Sequence, residues 1–195
     1  MQTPNMEQRL RLLVEKVHAR YECLGHSARY PYVSFVYDPD DEKILPELLL
    51  KFFYEDEHLF FTIIDLLPLS IESVESGEEE RDIALNDPML AQNARHEIVQ
   101  LWSDVLCEKI MADVAVTPVG KRPVAILYGL AAVHPLGTPT QLIELMAEME
   151  LHDERTGHAV PIVVFIPGYL PPQTHGYRFL NPESPLLPFS QGISM

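Results

Sequence analysis

Two short apolar runs with a helical stretch between them constrain this chain more than anything else in it. Val124-Ala125-Ile126-Leu127-Tyr128 is apolar, partly β-branched, and ends at Gly129. That is the pattern of a strand buried on both faces and stopped by a turn. Ile162 to Ile166 repeats the pattern and stops at Pro167-Gly168. Between them, Thr138 or Thr140 can cap a helix that puts Leu142, Ile143, Leu145, Met146 and Met149 largely on one face. Strand, helix, strand within this span is a βαβ crossover, so the two strands are expected parallel and close neighbours.

The rest of the chain extends that theme. A helix starts at Thr3 or Asn5 and continues to about Tyr21, with Leu10, Leu13, Val14, Val17 and Tyr21 on one stripe and Gly25 suited to its end. Tyr32–Tyr37 reads as the first strand, followed by a turn at Asp38-Pro39-Asp40-Asp41-Glu42. Pro46 fits the first turn of a helix carrying Leu48, Leu49, Phe52 and Phe53. Leu59–Leu67 is expected as the second strand, broken by Pro68. Residues 70 to 88 are acidic and read as a short helix and an exposed loop. The longest helix runs from about Pro88 to Ile110, with Trp102 in the core. Val114–Val116 is a short strand or a connector. This alternation predicts an α/β fold, a three-layer sandwich with a mostly parallel sheet. It divides into a single domain over residues 1–170 and a Pro-rich C-terminal arm, 171–195, whose one apolar stretch, Tyr177-Arg178-Phe179-Leu180, could add an edge strand or hold a partner, although its prolines favour an irregular surface arm.

Charge narrows the function. Lys plus Arg is 14 and Asp plus Glu is 29, a formal charge of −15. That field repels a phosphate backbone at long range, so direct nucleic-acid binding is disfavoured. The modest basic cluster Arg9, Arg11, Lys16 and Arg20 reads as the wet face of the first helix. Cys23 and Cys107 form neither a disulfide framework nor a zinc pattern, and read as free thiols. The first residues lack the apolar core of a signal peptide, and no apolar run reaches the roughly 20 residues that span a bilayer. A cytoplasmic protein is expected.

Open α/β sheets bind ligands beyond the carboxyl ends of their strands. Those ends carry Asp38, Asp40, Asp41 and Asp65. Asp38, Asp40 and Asp65 can be read as a metal site, because hard cations take several oxygens, and a small metal-dependent hydrolase or nuclease would be implied. The plainer reading is that Asp38 and Asp40 shape a turn and Asp41 caps a helix. Neither glycine-rich phosphate motif is present, and Arg122-Pro123 comes after Gly120-Lys121, where proline has no amide to offer. No nucleophile elbow exists. His134, after a buried strand and before Pro135, reads as a structural histidine because it lacks nucleophile and base partners in sequence. No catalytic, cofactor-binding or metal residue is therefore assigned.

Leu127-Tyr128-Gly129-Leu130-Ala131-Ala132-Val133-His134-Pro135 and Val164-Phe165-Ile166-Pro167-Gly168-Tyr169 resemble the BrxB family, small accessory proteins of bacterial BREX phage-defence systems. Tyr32 to Asp40 is similar to that family's first strand, and Asp65-Leu66-Leu67 to its second. Leu136-Gly137 depart from the family's aromatic residue and Arg after the loop proline, and Tyr177-Arg178-Phe179 is the nearest echo of its usual ending. The resemblance implies a nucleotide-binding-like (AAA/P-loop-like) topology lacking a phosphate loop. It also implies a non-catalytic adaptor, without a cofactor, that works with a large ATPase, an alkaline-phosphatase-like protein and a DNA methyltransferase. The acidic stretch Glu72–Asp82 and the tail Tyr169–Ser190 are the expected contact regions, since strong acidity suits a basic partner face.

Overall fold

The computed structural model describes residues 5–26, 31–54, 56–74, 78–189 and 193–194. Side chains are described for these except 20–26, 78–81 and 193–194, so the side chains of Arg20 and Cys23 lie outside the described set.

Five parallel strands make the centre. They are β1 (Tyr32–Tyr37), β2 (Leu59–Asp65), β3 (Arg122–Tyr128), β6 (Ile162–Tyr169) and β9 (Ile193–Ser194), in the spatial order β2-β3-β6-β1-β9. Phe35 lies beside Phe165, and Asp65 beside Tyr128. Side chains alternate across a strand, so each strand feeds two cores. Val33, Phe35, Tyr37, Val124, Ile126, Val163 and Phe165 point to one face. There they meet Leu10, Leu13 and Val17 of α1 (Met6–His26) and Leu45, Leu49 and Phe53 on and beside α2 (Leu45–Phe52). Tyr32, Val36, Ala125, Leu127, Ile162, Val164 and Ile166 point to the other. That face is covered by α3 (Leu66–Val74), α5 (Ala91–Ala115) and α6 (Pro139–Glu148). The fold is a mixed α/β sandwich with a mostly parallel sheet flanked by helices.

The helix starts reflect local chemistry. Asn5 accepts from the Glu7 backbone N–H at 2.7 Å and caps α1. Thr138, not Thr140, caps α6 with a full capping box closed by Gln141. Asp65 accepts from the Leu67 N–H at 3.0 Å, so Leu66 and Leu67 turn into α3 and do not prolong β2. Trp102 is buried as expected, and its ring N–H donates to the Ser70 carbonyl at 3.2 Å, tying α5 to α3. The acidic region holds α4 (Glu78–Asn86), with Glu72 and Asp82 both exposed.

Several expectations are corrected. Gly25 does not end α1, which runs to His26. Val114 and Ala115 finish α5, and no strand forms there. Arg9 is not on the wet face: its guanidinium lies 4.4 Å over the Phe35 ring and donates to the Val36 carbonyl. Its long stem and planar head suit that half-buried seat better than lysine would. Residues 171–189 are not irregular. They carry β7 (Gly176–Phe179) and β8 (Leu186–Pro188), an antiparallel pair joined to β6, and Tyr177 and Phe179 belong to the core.

Residues 152–159 form a small ribbon of β4 (His152–Asp153) and β5 (His158–Ala159). Its Asp153 is buried and takes two bonds from the Arg155 guanidinium, at 3.0 and 2.9 Å. Those bonds hold the carboxyl below the usual carboxylate range. A depressed folded value contributes stability that is complete above the unfolded value and is lost as pH falls through the folded one. Asp153→Asn is therefore expected to cost about 1–2 kcal/mol at neutral pH, at the low end for charged hydrogen bonds because Arg155 is partly exposed. The gap from the parent, read by denaturant unfolding, shrinks below about pH 4.

Candidate functional site

The place to look is the carboxyl end of the parallel strands. Three features occupy it, and each can be traced to its residues.

The first is the turn after β1. Tyr37 ends the strand, and Pro39–Lys43 forms a single 3-10 segment. Asp38 caps it, accepting from the Asp40 N–H at 3.1 Å, while the Asp41 N–H donates to the Asp38 carbonyl at 2.9 Å. The cap is thus Asp38, where the sequence had suggested Asp41. The buried Tyr37 hydroxyl donates to the Glu42 carboxylate. Burial and that carboxylate push the phenol far above its ordinary value, so Tyr37 stays a donor.

The second is the β2–β3 corner. Asp65 is engaged by the start of α3, and it also receives the Tyr128 hydroxyl. Burial, that bond and the charges of Asp65 and Glu42 push Tyr128 up to about 12. Gly129 sits at φ 74°, and a Cβ there would collide with the Asp65 carboxylate and come within 3.3 Å of the Leu66 nitrogen. Both the left-handed backbone and the missing side chain are used. Gly129→Ala is expected to lower stability by about 1–3 kcal/mol, measured as a fall in the denaturant midpoint, with a shift of the Tyr128 ring signals.

The third is the tail. β3 lies beside β6 only over Ala125–Leu127 and Ile162–Val164. The Pro161 carbonyl accepts from the Ala125 N–H, so the odd-numbered carbonyls of β6 face β3. Past Val164 the two strands part, and the Pro167 carbonyl on that side accepts instead from the Leu180 N–H at 3.1 Å. β7 therefore enters the gap, with Gly168 beside Phe179 and Tyr169 beside Arg178. Gly168 and Gly176 permit the close approach, because a Cβ on either would strike a carbonyl oxygen, of Arg178 and Leu187 respectively. Tyr177 and Thr140 share a hydrogen bond of 2.9 Å, and the Thr140 hydroxyl also donates to the Pro188 carbonyl at 3.1 Å. The first turn of α6 thereby holds both strands of the hairpin. The gap between the ends of β3 and β6 is thus filled by this chain's own residues.

The nominated residues are placed accordingly. Asp38 and Asp65 serve different segments, the 3-10 turn and α3, and Asp40 is exposed. Among the described residues no three His, Cys, Asp or Glu side chains are grouped to hold a metal ion. His134 is exposed, its ring edge-on to Phe179 at 6.4 Å. Cys107 is a buried free thiol, raised to about 11 by burial first of all. A cleft of about 520 Å³ lies between α5 and α6, with Arg95 and His96 on one wall and Glu144 and Glu148 on the other. None of the nominated carboxylates lines it. Sequence reasoning allowed an edge strand at Tyr177–Leu180 but preferred an irregular arm, and it missed the return strand Leu186–Pro188 and the core places of Tyr177 and Phe179.

Fold and site together define an α/β sandwich protein whose strand tips are closed by turns, caps and its own tail. No protein-family model, no curated protein and no solved structure matches the chain. No described helix is long and apolar enough to cross a membrane.

Proposed function

We propose that this chain is a non-catalytic adaptor of a BREX-type bacterial antiviral system, of the BrxB family, acting in the cytoplasm through protein–protein contacts. The observation that carries the reading is that the carboxylates at the tips of β1 and β2 serve as caps. With β7 filling the gap beside β6, the strand ends present no assembled reactive set among the described residues.

The strand order supports the nucleotide-binding-like, AAA/P-loop-like part of the reading. β1 lies inside the parallel sheet with β6 and β9 as neighbours, which is where a phosphate loop would come after a strand. The turn found there is Asp38-Pro39-Asp40-Asp41-Glu42. Its carboxylates repel a triphosphate, and Pro39 has no N–H to donate. In this reading the scaffold is nucleotide-binder-like and its mouth repels nucleotide.

Such a protein works by being held. The charge of −15 favours partners with basic faces, and steering by it weakens as salt rises. The partners proposed are the large ATPase, the alkaline-phosphatase-like protein and the DNA methyltransferase of the same system. The tagged full chain, expressed with its neighbouring defence genes, is expected to retain at least one of them through size exclusion at low salt. Replacing exposed Glu72 and Asp82 with Lys is expected to weaken that retention. Failure to hold any of the three would overturn the proposal.

A further inference from the structure

The edge strand β2 has no strand on its outer side among the described residues. Its sequence is Leu59-Phe60-Phe61-Thr62-Ile63-Ile64-Asp65. Exposed edges are normally blunted by lysine, proline, a bulge or an inward charge. Residues 59–64 contain none of these, in a chain that carries −15 overall.

The hydrogen-bonding groups on that edge can be assigned. The His58 carbonyl accepts from the Arg122 N–H at 2.9 Å, so even-numbered residues of β2 turn their backbone groups to β3. Odd-numbered residues turn theirs outward. The Leu59 N–H is taken by Asp56 at 2.8 Å. The N–H and C=O of Phe61 and of Ile63 are left facing out. Side chains alternate as well: Phe61 and Ile63 pack against the α1/α2 core, and Ile64 belongs to the opposite one, with Phe60 and Thr62 on its side.

We infer that β2 pairs with β2 of a second copy of this chain, antiparallel, about a two-fold axis through Thr62. The open groups then match: Phe61 exchanges both bonds with Ile63 of the other copy, and Ile63 with Phe61. The cross-strand neighbours from residue 60 to residue 64 in that register are favourable kinds. Phe61 faces Ile63, Phe60 faces Ile64, and Thr62 faces itself, which gives aromatic–aliphatic pairs and a threonine pair at the centre. Charge selects the same seam. No charged side chain lies between Leu59 and Ile64, so two strongly acidic molecules can meet there without like charges opposed. Each Asp65 falls opposite Leu59, and the two Asp65 residues stand at opposite ends, roughly 20 Å apart at about 3.4 Å per residue. The pairing is isologous and closes after two copies, extending one sheet across both molecules.

This inference does not rest on the phage-defence reading, and the two fail separately. Its test uses the axis residue. Thr62→Lys sets two like charges directly opposite each other, and so does Thr62→Glu. By sedimentation of the full chain, the parent is expected as a dimer. Each variant is expected to dissociate at least about tenfold more readily, with an unchanged circular-dichroism spectrum. The two variants mixed in equal amounts are expected to re-form a dimer, because the axis then joins opposite charges. A monomeric parent overturns the inference, as does a dimer that survives both substitutions or a mixture that stays monomeric.

Discussion

Truncation after Leu170 is expected to leave a chain without a cooperative unfolding transition. The removed segment contains Tyr177 and Phe179, which are 1% and 6% exposed. Deleting one buried aromatic ring from a core typically costs about 3–5 kcal/mol. These two are neighbours, so their costs are not simply additive. The truncation also unpairs the Pro167 carbonyl and removes two members of the core cluster that contains Val164, Ile166 and Leu142. Against a typical stability of about 5–15 kcal/mol, that loss is decisive. The expected product keeps far-UV signal, binds a hydrophobic dye and gives collapsed side-chain NMR dispersion. A truncated chain that melts as sharply and as high as the full one would show that the tail is an appendage.

Phe165→Ala is expected to have the largest effect of any single substitution, about 3–5 kcal/mol by denaturant unfolding. Phe165 is fully buried on β6, the strand with β3 on one side and β1 on the other. Its ring lies 5.1 Å from that of Phe35 and 6.1 Å from that of Phe53. One residue therefore joins the neighbouring strand to α2. For a chain of this length the melting temperature should fall by about 2–4 °C per kcal/mol. Leu50→Ala, on the exposed side of α2, is the control and should stay within about 0.5 kcal/mol. Equal effects from the two would mean that the α1/α2 layer is not packed as described.

Why some of the fold was legible in sequence and some was not has physical reasons. β3, α6 and β6 could be read directly because strands buried on both faces are continuous apolar runs, and α6 carries its own capping box. The end of β2 was misplaced because Leu66 and Leu67 are as apolar as the strand before them. What starts the helix there is a side-chain bond from Asp65, and hydropathy does not record it. The tail was misread for the opposite reason. Its prolines flank β7 and leave the strand itself free, and the partner that makes Tyr177 a core residue is Thr140, remote in sequence. Arg9 was placed in water because charge dominates a helical wheel, although its stem and planar head can cover a ring. At the strand tips the residue types were correctly noticed. Their roles depend on which backbone N–H each carboxylate meets, and spacing alone could not distinguish a cap from a ligand set.

The proposed non-catalytic role rests on strand tips closed by the chain itself, and the crevice between β3 and β6 is the part closed by the tail. Native-state hydrogen exchange measures that closure at one atom, the Leu180 amide that donates to Pro167. The expected result is exchange about as slow as that of the Val163 and Val164 amides in the middle of β6, because the hairpin opens only when the domain does. Exchange of Leu180 as fast as that of the exposed turn at Gln173, with β6 still protected, would mean that the crevice stands open and that the case against a ligand there fails.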